Sequence, residues 1–219
     1  MITTMPPLSD LRRQRGVRAR SEILRAADRL FAEQGFEGAT TEAIASAAGV
    51  NKALLYYYFK SKEALFSAVL EGQLKGFHRQ ASEILSKRGP AQDILLRYLS
   101  FHFDAMASRP NYASLFQRLA MTDARLATRV FRRYVVPRTQ QVAALIRRGV
   151  REGAFRPVDG THAAFILTGL IVPYFAAAPM IKTAFRIDPL EPGALRRRKR
   201  EVLDFVRFGL FCGSEEDHR

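Results

Sequence analysis

The stretch Ala39–Leu65, ATTEAIASAAGVNKALLYYYFKSKEAL, decides the reading of this chain. Thr40 or Thr41 can cap a short helix, Glu42 to Ala48, with the Glu42 carboxylate in its positive first turn. Gly49 permits a sharp turn, Asn51 can cap again, and Lys52 to Phe59 makes the next short helix. Two short helices joined through Ala48-Gly49-Val50-Asn51 form a helix-turn-helix pattern. Ile44, Ala45 and Ala48, with Val50, Leu54 or Leu55, and Phe59, can make a small shared core, and the alanines let the helices approach closely. That turns Lys52, Ala53, Tyr57 and Tyr58 outward. The second helix then suits a DNA major groove, where short side chains allow approach and longer ones reach base edges or phosphates.

Tyr56-Tyr57-Tyr58 cannot all face one core, because successive residues of a helix turn by about 100°. The expectation is that Tyr56 packs inward while Tyr57 and Tyr58 offer hydroxyls to phosphates or bases. Lys60 and Lys62 follow at the end of this helix and read as phosphate contacts. Ser61 restarts a longer helix, with Glu63 in its first turn and Ala64, Leu65, Ala68 and Val69 on one face.

Working outward, the chain reads as helical almost throughout. Ile23, Ala27, Leu30 and Phe31 recur at helical spacing between Arg18 and Gln34, and Gly35 closes the run. Met1 to Gly16 holds prolines and then Arg12, Arg13 and Arg15, so a mobile basic arm is expected over 1–16. Pro90 and Pro110 bracket a helix over 91–108, and a shorter one is expected over 111–121. Asp123 opens a long basic helix that Pro137 should kink, ending near Gly153. Asp159 should cap the next helix, which Pro179 ends, and 191–211 forms the last. With no strand alternation and no internal repeat, the class is all-α. The expected layout is an arm (1–16), a helix-turn-helix domain (17–66) and a larger helical domain (67–219).

Composition narrows the function classes. Hydrophobic residues at 47% against 26% charged exclude a disordered chain. Cys212, the single cysteine, cannot form an internal disulfide. Met1 to Asp10 has no apolar core after a basic start, so no signal peptide and a cytoplasmic location are expected. The net charge of +14 attracts polyanions. Yet residues 1–75 carry 11 basic and 8 acidic side chains, and residues 76–219 carry 24 and 13, so most of the excess lies outside the helix-turn-helix.

Gly160 to Ile181 holds 22 consecutive uncharged residues, and a membrane-spanning helix needs roughly 20. A helix apolar all round is either a span or buried in a bundle. Arg156 and Lys182 flank the run, while His162, Thr168, Pro173 and Pro179 argue against a span. Burial is expected, with a partner subunit covering the side left open, and no stable membrane association. The alternative is a helical ligand-binding or membrane-associated protein whose residues 160–181 contact lipid.

Phe31–Gly38 (FAEQGFEG), Thr40-Thr41, Ile44-Ala45, Ala48-Gly49-Val50, Leu55-Tyr56-Tyr57 and Phe59-Lys60-Ser61-Lys62-Glu63 resemble the DNA-binding domain of the TetR family of transcriptional regulators. The match covers about residues 18–66. It departs from the usual pattern at Tyr58, where histidine is common, and at Ala53 and Leu54, where glycine and a small hydroxyl residue are common. The resemblance implies an all-α homodimer that binds double-stranded operator DNA, with a C-terminal domain that dimerises and houses an effector. Thr41, Tyr57 and Lys62 would contact phosphates, with Thr40 and Lys60 beside them. Lys52, Ala53, Leu54 and Tyr58 would lie nearest the bases. The last two long helices would pack against their twins, through Phe165, Val172, Leu195, Val202, Phe205, Val206 and Leu210.

Candidate linings for an apolar or aromatic small-molecule effector are His102, Phe103, Met106, Tyr112, Phe116, Phe131, Tyr134, Phe165 and Tyr174, where His102 and Tyr174 could add a hydrogen bond. His78, His102, His162 and His218 lack a metal-ligand spacing, and Asp159 with His162 reads as a cap beside a histidine. There is no P-loop, G-x-S-x-G, H-E-x-x-H or cysteine pair. No catalytic residue, metal or cofactor is expected. The run Arg196-Arg197-Arg198-Lys199-Arg200 resembles a polybasic patch for nucleic acid or anionic lipid, but one turn of it must point near the dimer seam, and a mostly solvated helix face is the default reading.

Overall fold

The computed structural model describes residues 8–110, 112–113, 121 and 124–212, with side chains from residue 15 onward except that of Leu126. The chain divides into two compact units, Met1–Gly72 and Gln73–Arg219.

In the first unit α1 runs Leu8–Gly38 and breaks its helical geometry at Gly35, where φ is 71°. The backbone is thus already helical from Leu8, inside the stretch expected to be an arm. Leucine, glutamine and arginine between Leu8 and Arg15 are strong helix formers, and Ser9 and Asp10 suit a helix start. The spacing expected for the buried face holds: Ile23, Ala27, Leu30 and Phe31 are buried. Phe31, Phe36 and Phe66 stack around one another with ring centroids 5.2–5.8 Å apart. Two short helices follow, α2 (Thr41–Ala47) and α3 (Lys52–Phe59). Between them Gly49 takes φ 65°, a conformation a side chain would strain. Ile44 and Ala45 of α2 and Leu55 and Phe59 of α3 are buried, while Leu54 is only half-buried. Next, α4 spans Lys62–Leu85, its start capped by the Ser61 hydroxyl, which accepts from the Ala64 N–H at 3.1 Å.

The second unit packs α5 (Ala91–Ala107), α6 (Ala124–Val130), α7 (Val136–Arg151), α8 (Gly160–Gly169), α9 (Val172–Ala176), α10 (Ala178–Phe185) and α11 (Pro192–Leu210). Its core joins Leu95, Leu99 and Phe103 of α5 with Ile146, Phe155, Phe175, Val202, Val206 and Leu210. Phe155 folds back over Gly149, so closely that a Cβ there would meet its ring at 2.2 Å. The segments Ala154–Arg156 and Leu210–Cys212 join through two backbone bonds, Arg156 N–H to the Leu210 carbonyl and Cys212 N–H to the Ala154 carbonyl, both 3.0 Å. Most of the expected helix 111–121 and the side chain of Phe116 lie outside the described residues.

Two expectations about prolines need correcting. The kink expected at Pro137 is instead a wider π turn, Phe131–Val135, placed just before α7, whose first turn holds Pro137. The wider turn accommodates the ring and its missing N–H. Nor does Pro179 end a long helix: Pro173 and Pro179 each sit in the first turn of a new one, where a missing N–H costs no hydrogen bond. The uncharged run therefore becomes three short helices, and Gly160–Ala176 meets Ala178–Phe185 at 63°. Among the described residues no single helix is long and apolar enough to cross a membrane.

Candidate nucleic-acid interface and effector site

The helix-turn-helix is set by side chains within a few residues of each helix end. Thr40, not Thr41, caps α2, its hydroxyl accepting from the Ala43 N–H at 3.1 Å. Asn51 caps α3 through the Leu54 N–H at 2.8 Å. Thr41 is buried and its hydroxyl donates to Glu42 at 3.1 Å, with the Tyr56 hydroxyl 3.4 Å away. Lys52 pairs with Glu42 across the two helices and lies 5.8 Å from the Tyr56 ring centroid. That contact, with the backbone N–H of Glu42 and the Thr41 hydroxyl, holds the Glu42 carboxyl below its ordinary range and Lys52 above its own.

The three tyrosines divide differently from the sequence expectation. Tyr57 is open, 70% exposed. Tyr56, expected inward, is at the surface with its hydroxyl toward Thr41. Tyr58, expected outward, is half-buried: its ring packs edge-on to Tyr57, and its hydroxyl would lie 3.1 Å from a Cβ at Gly16. One turn of α1 thus takes the place that sequence reasoning left open for Tyr58. Lys52, Ala53 and Lys60 are exposed and Leu54 half-buried. Lys62 lies 4.6 Å from the centroid of the Phe36 ring and reaches the Glu37 carbonyl at 3.4 Å. Lys60 ends α3 at φ 63°, unusual for a side-chain-bearing residue.

Of the nine effector candidates, the eight among the described residues do not gather at one place. Phe103 stacks edge-on against Phe175 in the core, and Met106 packs at its margin. Phe131 and Phe165 line an open groove of about 300 Å³ with Thr139, Gln140, Arg147 and Thr161. The Tyr174 hydroxyl donates to the Pro189 carbonyl at 2.7 Å, so it is already committed, and Arg198 lies over its ring at 5.1 Å. Tyr112 and Tyr134 are buried, Tyr134 with His78 at its edge, 6.4 Å between centroids.

His102 sits instead in a buried polar cluster. It is 2% exposed, its Nδ1 has no hydrogen-bond partner, and burial, reinforced by the nearby Arg138 charge, pushes its pKa down to about 3. Around it stand Phe77 of α4 at 5.1 Å and Tyr98 of α5 at 5.8 Å, centroid to centroid. Arg138 of α7 is buried too, with its guanidinium 5.1 Å from the Phe77 centroid. Sequence reasoning overlooked Arg138, although it falls on the stripe Arg138, Val142, Leu145, Gly149 that α7 buries.

On α11, Val202, Val206 and Leu210, expected at a subunit seam, are buried within the protomer's own core. Leu195 and Val172 pack at its margin. The outward apolar positions are Phe205 and Phe208 on α11, 64% and 88% exposed, and Phe165 and Ile166 on α8. Phe208 and Ile166 were missed, though each lies one turn or one residue from a position singled out. The basic run is mostly solvated, with Arg196, Arg197 and Arg200 exposed, while Arg198 donates to the Leu170 carbonyl at 3.1 Å and Lys199 pairs with Asp104 at 2.6 Å. Asp159 caps α8 through the N–H groups of Thr161 and His162.

Residues 23–69 match the family model for bacterial regulatory proteins of the tetR family, and residues 90–206 match that for the tetracyclin repressor-like C-terminal domain. The transcriptional repressor NicS of Pseudomonas putida is 26% identical over 209 residues, covering 90% of this chain and 92% of its own. The transcriptional regulator RutR of Escherichia coli is 29% identical over 179 residues, covering 78% and 81%. A Saccharomonospora viridis protein crystallised with choline shares the fold, with a TM-score of 0.76 at 20% identity over 89% of this chain and 98% of its own. Two models covering head and body in the order seen here leave one assignment: this chain belongs to the TetR family of transcriptional regulators.

Proposed function

We propose that this chain is a cytoplasmic, non-enzymatic, ligand-responsive repressor that binds palindromic operator DNA as a homodimer and leaves it when a small-molecule effector binds the body. One observation carries the DNA half of this reading: α3 is a capped helix presenting Lys52, Ala53 and Tyr57 outward beside the Thr40–Glu42 corner. In a major groove, Lys52 and Ala53 would lie nearest base edges, while Thr40, Thr41, Tyr57, Lys60 and Lys62 would meet phosphates. Leu54 and Tyr58 are less available, so base preference rests more heavily on Lys52 and on Tyr56. The head would span 17–66 and the body 67–219.

A twofold dimer would use the outward apolar faces of α8 and α11, Phe165 and Ile166 with Phe205 and Phe208. Such an isologous seam reads a palindrome, with half-sites about 34–36 Å apart or a multiple of that. An effector bound more tightly by a conformation with another spacing would draw the dimer off its operator, by as much as its affinities for the two states differ. NicS is named a repressor, which supports the sign of regulation.

Selection from a random duplex library at moderate salt tests the reading. A +14 protein binds any duplex at low salt, so salt separates recognition from charge. A palindrome should be enriched. Binding that fades steeply with salt and enriches no sequence would sink the proposal.

A further inference from the structure

Arg138 is the one buried positively charged side chain among the described residues, at 7% exposure. It stands in the first turn of α7, directly after the π turn, and no carboxylate among the described residues pairs with it. Its guanidinium lies over the face of Phe77, an attraction perpendicular to the plane in which its N–H donors point. The acidic side chains of α5, Asp93 and Asp104, are exposed, and Asp104 is taken by Lys199. Close to this charge, His102 holds a buried Nδ1 without a hydrogen-bond partner. A buried charge without a counter-ion is strongly disfavoured, and proteins pair nearly all of them.

Resting on the reading of the body as an effector domain, we infer that the effector is an organic carboxylate whose anionic end is bound by Arg138 and whose apolar part lies against Phe77 and its neighbours. A guanidinium fork fits a carboxylate with two parallel hydrogen bonds, and the apolar part of such a ligand can pack among the tilted rings of Phe77, Tyr98 and His102. The charge count selects a monoanion. His102 is fully buried and stays neutral, so Arg138 supplies a single positive charge, and a phosphate dianion would leave negative charge uncompensated. The imidazole of His102 can complete the polar end as a hydrogen-bond partner.

The test uses the full-length protein and matched probes: benzoate, phenylacetate and octanoate against benzamide, phenylacetamide and octanamide, each at millimolar concentration. Thermal melts are read first, because they need no DNA. At least one acid should raise the Tm by several degrees while its amide does not. Arg138→Met should abolish that response and melt no lower than wild type without ligand, since it removes an unpaired buried charge while keeping much of the bulk. Should Arg138→Met fail to fold, Arg138→Lys keeps the charge, loses the fork, and should weaken the acid response at least tenfold. Amides acting as well as acids, no acid shifting the wild type, or an undiminished response in either variant would overturn the inference. The selected operator is then added, and the stabilising acid should release it. Failure to select any palindrome strikes the repressor reading alone, because the melting data still decide whether Arg138 binds a carboxylate.

Discussion

The head and the body of this protein solve the same problem, satisfying polar groups at helix ends and in the interior, by different means at most of their helices. In the head, Thr40, Asn51 and Ser61 each accept a hydrogen bond from an N–H three residues ahead, so the two short helices and the next one begin where their own neighbours dictate. In the body, α7, α9, α10 and α11 begin with proline in the first turn and no side-chain cap. There the interior holds Arg138, His102 and His78, whose needs only distant parts of the chain or a ligand could meet. The lesson is that the recognition element is locally determined and holds its shape, while the body carries buried polar groups that something bound there can exploit.

The largest expected effect probes the body's packing. Phe155→Ala empties the site of a ring that is 1% exposed and folded over Gly149, and should cost about 3–5 kcal/mol in denaturant unfolding. If the loss is below about 1 kcal/mol, the closure of residues 154–156 on 210–212 is not a structural joint of the body.

The buried histidine gives a pH signature. The folded-state pKa of His102, about 3, lies below the ordinary value of 6.5. Between those values the unfolded chain binds the extra proton, so the contribution of His102 to stability is full above pH 6.5 and falls as the solution is acidified toward pH 3. The slope reaches ~1.4 kcal/mol per pH unit at its steepest. Melting curves of wild type and His102→Gln from pH 7 to 4.5 should therefore diverge, with wild type falling faster. Parallel curves would mean that folding does not depress the pKa of His102.

Asn51→Ala sharpens the comparison from the head's side. Losing the cap of α3 should cost about 1 kcal/mol, and operator affinity should drop further than that through fraying of the recognition helix. Hydrogen exchange of α3 amides would report the fraying; unchanged exchange would show that packing of Leu55 and Phe59, and not the cap, sets this helix. Phe208→Asp addresses the exposed seam: sedimentation should show the dimer replaced by monomer, with the protomer's melting little changed because Phe208 is 88% exposed. The smallest effect is expected from Glu42→Gln. It frees Lys52 from an exposed pair, so stability should barely move, while binding to non-operator DNA strengthens and its salt dependence steepens.

The all-α class, the helix-turn-helix and the limits of α3 were legible in the sequence because each depends on residues a turn apart: the threonine and asparagine caps, Gly49, and apolar spacing through Ile44, Leu55 and Phe59. Tyr58 was misjudged for the complementary reason. Whether it faces solvent depends on α1, which passes at Gly16, more than forty positions away in the chain.

The same division governs the body. By itself, the sequence determined that residues 160–181 must be covered on several sides, and that prolines must interrupt helical runs, since an uncharged surface and a missing N–H act wherever they occur. Which side of the run is covered, and by what, was decided only by tertiary packing. That packing buried Val202, Val206 and Leu210 within the protomer and left Phe205 and Phe208 facing out. It also brought an arginine of α7 against a phenylalanine of α4 and within the influence of a histidine of α5. No local pattern encodes that meeting, because a buried charge becomes informative only when the groups that fail to neutralise it are known.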